Sequence, residues 1–213
     1  MTATPSPSLR EEVANAISHG LGLLLALASL PVLAAAGWLP ARPGGVLGTS
    51  VFAVTMMLVF LSSTVYHALR PGRAKAWLQL VDHAAIFLFI AGSFTPFALR
   101  NLDSTQGQLG FALVWVLALT GIVCKVCGRL QGALRSTLLY VALGWVAAAA
   151  ALPTLEVLTA QEIALIAAGG AAYMVGALFF LLDHRLRFSH FIWHLFVLAG
   201  SGCHFVAALQ HLA

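Results

Sequence analysis

Charged residues are only 8% of these 213 positions, and they leave long uncharged runs between them: 13–41, 43–69, 83–99, 104–124, 136–155, 163–182 and 188–213. A helix rising about 1.5 Å per residue needs roughly 20 apolar residues to cross about 30 Å of hydrocarbon, and six of the seven runs reach that length. The short one, 83–99, becomes long enough when it starts near Ala76 and takes Asp82 with it. The runs are continuously apolar, whereas the strands of a membrane barrel are about ten residues long and alternate. With 61% hydrophobic residues, and about a quarter charged residues being usual for a soluble domain, a water-soluble fold is excluded. The expectation is an all-α polytopic membrane protein, a seven-transmembrane-helix bundle.

The helices are expected at about 13–37, 46–69, 76–99, 108–127, 134–152, 160–182 and 189–211, in one domain over 12–213 behind a short tail, 1–11. Turn residues stand between them at Pro40 to Gly45, Pro71-Gly72, Asn101 to Gly107, Gly128 to Gly132 and Pro153-Thr154, too short for a separate soluble domain. The first run ends in Ala34-Ala35-Ala36-Gly37, yet it is long, interrupted by Asn15 and His19, and preceded by Glu11-Glu12. It reads as a retained helix rather than a signal peptide. Cys124, Cys127 and Cys203 lie in or beside apolar helix and form no disulfide framework; Cys124-x-x-Cys127 has no second pair, so packing is its first reading. Trp77, Trp115, Trp145 and Trp193 serve as interfacial anchors or packing, and Gly92, Gly144, Gly176 and Gly200 suit close helix approach.

Basic residues divide nine against two between the two sides of such a bundle. Arg10, Arg70, Arg73, Lys75, Lys125, Arg129, Arg135, Arg185 and Arg187 share the side of the N-terminus, and only Arg42 and Arg100 face the other. The positive-inside rule then places the N-terminus in the cytoplasm and the C-terminus outside, in the inner (plasma) membrane. The pI of about 9.3 calls for no nucleic-acid partner; membrane lipids are the partners it implies.

An ionisable group within a membrane helix is a functional-site hypothesis by default. Glu12, Asn15 and His19 fall on one face of helix 1; Ser63 and His67 are one turn apart near the end of helix 2; Asp82 and His83 open helix 3; His190 and His194 are four apart at the start of helix 7. Topology brings these to similar depth on the cytoplasmic side. Two imidazoles at i and i+4 present one helix face to a single metal, and a third from another helix completes a catalytic-type zinc site. The natural ligands are His67, His190 and His194, with Asp82 and Ser63 as candidate catalytic groups near the water or behind the ligands, and Glu12, Asn15, His19 and His83 as candidates to support the ligands from behind, Asn15 and His19 alternatively bonding a neighbouring helix. The plain alternative for each histidine is the headgroup boundary, and for Ser63 a bond to its own helix. His184, His204 and His211 fall in a loop, in the opposite half and at the far end, and are not expected as ligands.

Five ordered segments carry a resemblance: Glu11-Glu12-x-x-Asn15-x-x-x-His19-Gly20, Ser62-Ser63-Thr64-x-Tyr66-His67, Asp82-His83-x-x-Ile86, Ala91-Gly92-Ser93-x-Thr95-Pro96-Phe97 and Ser189-His190-x-x-Trp193-His194. Together they closely resemble the bacterial hemolysin III branch of the progestin and adipoQ receptor (PAQR) family, over essentially the whole chain. The resemblance implies a zinc site near the cytoplasmic face held by His67, His190 and His194, with Asp82 and Ser63 close to the bound water. Its eukaryotic relatives look like zinc-dependent ceramidases, which implies hydrolysis of a lipid amide. Three functions compete: a zinc-dependent hydrolase of a lipid amide or ester, a membrane sensor or regulator of lipid state with a structural zinc, and a haemolytic pore. The mixture of three histidines and an uncommitted carboxylate favours the first, because closed structural zinc sites supply four protein ligands.

Overall fold

Hydrocarbon offers no hydrogen bonds, so a segment crossing it must satisfy its backbone internally, and the apolar runs do so as helices. The computed structural model describes residues 7–37 and 45–212, with seven helices long and apolar enough to span a membrane and, among the described residues, no strand. They are α1 (Leu9–Gly37), α2 (Gly45–Ala68), α3 (Arg73–Ala98), α4 (Thr105–Val126), α5 (Ala133–Ala150), α6 (Ala160–Leu181) and α7 (Ser189–Leu212), with 3-10 turns at Leu99–Asn101 and Leu152–Val157. The turn expected from Pro40 and the basic Arg42 lie outside the described residues, and Gly45 already opens α2.

Capping fixes where helices begin. Ser8 N–H and Oγ–H both donate to Glu11 Oε2, at 2.9 and 2.6 Å, and this starts α1 at Leu9, four residues earlier than hydropathy suggests. Ser104 Oγ accepts from Gly107 N–H at 2.9 Å and starts α4 at Thr105. Thr159 and Glu162 form a reciprocal capping box that starts α6. Gly128 and Gly132 take φ of 70° and 88° in the turn between α4 and α5, a conformation glycine adopts without steric penalty. Pro153 and Thr154 sit in the second 3-10 turn.

Helix α1 packs beside α2 and α7, α2 beside α3, α3 beside α4 and α5, and α6 beside α7. The starts of α1, α3, α5 and α7 and the ends of α2, α4 and α6 share one end of the bundle. Glu11 Oε1, for example, accepts from Phe188 N–H at 2.9 Å. One apolar core, with Phe52, Met56, Val59, Phe60, Phe89 and Val197, lies among α1, α2, α3 and α7. A second, with Phe87, Phe94, Val114, Ala118 and Leu143, lies among α3, α4 and α5. The outer faces stay apolar: Leu109, Leu113, Val116, Leu119, Val123 and Leu178 are exposed. Such faces would be an aggregation hazard in water; in a membrane they are the lipid contact. Trp77 and Trp145 are exposed likewise.

Gly92, Gly176 and Gly200 do mark close approach. A Cβ on Gly92 would overlap the Thr55 side chain of α2, one on Gly176 would meet Phe196 and Trp193 at 2.8 Å, and one on Gly200 would meet Tyr173 at 2.6 Å. Gly144 does not belong with them: a Cβ there meets nothing within 4 Å, because this face of α5 has no neighbouring helix against it. Gly92→Ala is therefore expected to destabilise the bundle by about 1 to 3 kcal/mol and lower its melting temperature in detergent, while Gly144→Ala leaves it unchanged. Equal melting of the two variants would contradict this packing.

Candidate metal centre

Because α2 ends where α7 begins, His67 from the last turn of α2 meets His190 and His194, one turn apart on α7. Ring centroids are 5.0 Å apart for His67 and His190, 5.1 Å for His67 and His194, and 4.7 Å for His190 and His194. One ring nitrogen of each lies within 4.8 Å of the other two, so the three could hold one metal ion. His67 and His194 are buried, and the His190 side chain keeps 17% of its surface open.

Each ring is fixed through Nδ1. His67 Nδ1–H donates to Glu12 Oε2 at 2.7 Å, His190 Nδ1–H to Asp183 Oδ2 at 3.1 Å, and His194 Nδ1–H to the Asn15 carbonyl at 3.2 Å with Ser18 Oγ at 3.0 Å. Ionised carboxylates and carbonyl oxygens only accept, so the proton sits on Nδ1 in all three rings and each Nε2 lone pair is left for a ligand. His67 Nε2 is buried without a hydrogen-bond partner, an orphaned atom that a metal would satisfy. The donor set fits: neutral imidazoles suit zinc and other transition metals rather than magnesium or calcium.

Glu12 serves two partners, since its Oε1 lies 2.9 Å from Lys75 Nζ. Lys75 also donates to the Tyr66 and Leu69 carbonyls at 3.1 and 3.0 Å, so the last carbonyls of α2 are capped by the cation that neutralises Glu12. Asp82 is buried on α3, close enough to interact with the His190 ring and the Ser63 hydroxyl. Ser63 Oγ, one turn before His67, is buried, and no hydrogen bond of good geometry satisfies it. Asp82 and Ser63 are thus both buried at the site end of the bundle, on α3 and α2.

His19 stacks on His194 with centroids 3.5 Å apart and planes 10° from parallel, meets Phe60 edge-on at 5.1 Å, and has no hydrogen-bond partner at either nitrogen. Asn15 contributes its carbonyl, while its side-chain oxygen is buried and unbonded. His83 is one residue from Asp82 and so turns about 100° away along the helix; it packs against Phe180 at 6.3 Å and does not join the three rings. Among the other histidines, His184 lies against Arg185, His204 against the Ile166 carbonyl, and His211 against Glu162 at 2.9 Å at the far end. Sequence reasoning missed Asp183, Ser18 and Lys75. Asp183 carries a sequence signal, a carboxylate seven residues before His190 in a short loop.

The family described as Haemolysin-III related matches residues 8–205. The chain is 39% identical to Hemolysin-3 of Bacillus cereus, over 96% of this chain and 93% of that protein. It is 37% identical to the Hemolysin-3 homolog of Bacillus subtilis (strain 168), over 95% and 94%. The human Monocyte to macrophage differentiation factor is 26% identical over 76% of this chain and 69% of its own length, which supports the PAQR relationship. No solved structure matches.

Cutting one Nδ1 tether without touching a ligand isolates its role. Asp183→Ala is expected to weaken binding of a divalent ion about 10- to 100-fold, read by competition with a chromophoric chelator on detergent-purified protein. An unchanged affinity would mean that the carboxylate does not orient His190.

Proposed function

We propose that this chain, which belongs to the Haemolysin-III related family, is a zinc-dependent membrane hydrolase acting on a lipid amide or ester. The observation that carries this reading is a set of three imidazoles, each with Nδ1 tethered and Nε2 open, next to a buried carboxylate, Asp82, that is not one of them. Three protein ligands leave a coordination position free, as catalytic sites do. His67, His190 and His194 would hold the ion, and zinc, once bound, would supply Lewis acidity that polarises a carbonyl and acidifies water. Asp82 takes the proton from the attacking water and passes it to the leaving amine or alcohol as the carbonyl carbon–heteroatom bond breaks. Ser63 donates its hydroxyl to an oxygen at the reacting centre. Glu12, Asp183 and the Asn15 carbonyl hold the rings in register for that chemistry.

The same reading puts the site end of the single seven-helix domain in the cytoplasm, N-terminus inside, in the plasma (inner) membrane, because nine of the eleven basic residues lie there. A second reading, a membrane sensor of lipid state with a structural zinc, rests on the way the rings and their tethers tie α1, α2 and α7 together. The haemolysis in the relatives' names does not favour a pore here. Between the two ends the bundle is filled by Phe52, Val59, Phe60 and Phe89, and Thr49, Thr55, Ser93 and Thr95 bond to carbonyls of their own helices.

Metal content by elemental mass spectrometry is the first test: about one zinc per chain in the wild type and none in His190→Ala/His194→Ala. Asp82→Asn is then expected to keep the zinc while hydrolysis of long-chain N-acyl and O-acyl lipids falls about 100-fold or more. Zinc-loaded wild type that hydrolyses neither class would leave the sensor reading.

A further inference from the structure

The chain has two lysines, Lys75 and Lys125, and both stand at the site end of the bundle. The charge of Lys75 is answered by Glu12. Lys125, in the last turn of α4, has no such answer: among the described residues no carboxylate lies within 4 Å of its ammonium. From Ser104 to Leu155, through the whole of α4 and α5, there is no Asp or Glu. The same end of these two helices carries instead two further cations, the exposed Arg129 and Arg135.

Lys125 is nevertheless held rather than free to follow solvent. Its Nζ donates to the Leu130 carbonyl at 3.3 Å and to Ser136 Oγ at 3.0 Å. Ser136 is buried and passes its own proton to the Gly132 carbonyl at 3.3 Å. Two neutral oxygens thus take two of the three ammonium N–H groups and supply no opposite charge. A partly buried cation at the edge of hydrocarbon is costly until an anion completes it. The His83 ring lies close enough to Lys125 to interact with it, and Tyr140 OH, donating to the His83 carbonyl at 2.9 Å, ties α5 to that turn of α3. The surface around this polar spot is apolar, with Val123, Val126, Leu134 and Leu138 exposed. A charged group with hydrocarbon tails matches both parts, whereas a free ion would use only the first.

We infer that Lys125, steadied by Ser136 and the Leu130 carbonyl and with His83 beside it, binds the phosphate of an anionic phospholipid on the α4–α5 side of the bundle, a site separate from the three-imidazole cluster and independent of any hydrolase reading. Phosphatidylglycerol and phosphatidylcholine with identical chains are titrated into the detergent-purified full chain, and bound lipid is counted by native mass spectrometry. Phosphatidylglycerol is expected to bind in preference. Lys125→Gln should weaken its first binding step about tenfold or more, the worth of one hydrogen bond to a charged group, and Lys125→Arg should keep it. Arg70→Gln, which removes an exposed cation from the α2–α3 turn at the same end, should leave it unchanged. No preference between the lipids, or equal weakening by Lys125→Gln and Arg70→Gln, overturns the site in favour of a diffuse positive surface. Displacement of phosphatidylglycerol by millimolar inorganic phosphate overturns the lipid assignment in favour of a free anion. A measurement on the wild type stands even if Lys125→Gln does not fold: phosphatidylglycerol with a photoreactive headgroup is expected to label residues 124–136, and labels on the α2–α3 or α6–α7 turn instead refute the proposal.

Discussion

Glu12 holds His67 with one carboxylate oxygen and Lys75 with the other, and this one residue joins α1, α2 and α3 at the site end. A half-buried carboxylate in a membrane helix is tolerable only if its charge is answered nearby. Lys75 answers it and in turn caps the Tyr66 and Leu69 carbonyls, which the end of α2 leaves without helical partners. The orientation of His67, and with it the convergence of three imidazoles, is a consequence of satisfying that one carboxylate. His194 is fixed by the same logic with a carbonyl in place of the carboxylate, and α1 again supplies it.

Helix α1 is therefore less a membrane anchor than the template on which the cluster is assembled. Its face carries Glu12, Asn15 and His19 toward the rings, then Gly22 against Phe60 and Leu198, and then the buried Ala26 and Ser29. The change from polar to small and apolar residues along one helical stripe is what gives the bundle a polar end and an apolar interior beyond it. Its opposite face, with Ile17, Leu21 and Leu24 exposed, meets hydrocarbon.

Most of the architecture was legible because charge is forbidden in hydrocarbon: wherever charges are absent for 20 residues, a helix follows. The depth of His67, Asp82, His190 and His194 was legible for the same reason, since alternating crossings bring the end of α2 and the starts of α3 and α7 to one side. What could not be read was anything that depends on rotation about a helix axis. His83 differs from Asp82 by one position and packs against Phe180; Gly144 is a mid-helix glycine as Gly92 is, but a Cβ there meets nothing within 4 Å. Asp183 and Ser18 were hidden because a loop carboxylate and a helical serine have unremarkable uses, as solvated charge and as a bond to the preceding turn. Ser18 makes that local bond to the Asn15 carbonyl as well as touching His194.

A rotation or slide of α7 would disperse the cluster, and in lipid the hydrophobic effect does not oppose such sliding between helices. Register has to come from hydrogen bonds and close contacts, and α7 has them at both ends. At its start Phe188 adopts φ 58°, a left-handed conformation that costs a non-glycine residue on the order of 1 kcal/mol or more, while its N–H is held by Glu11. Ser189 Oγ–H donates to the Phe179 carbonyl at 2.7 Å and locks the α6–α7 turn. At its far end His211 pairs with Glu162, itself fixed by the α6 capping box. Midway, Gly169 and Gly200 let α6 and α7 approach until His204 and Tyr173 fill the space that side chains would have taken. The two histidines that face His67 are thus placed by contacts distributed along the whole of α7, and that long-range pinning is what a preorganised three-imidazole site requires.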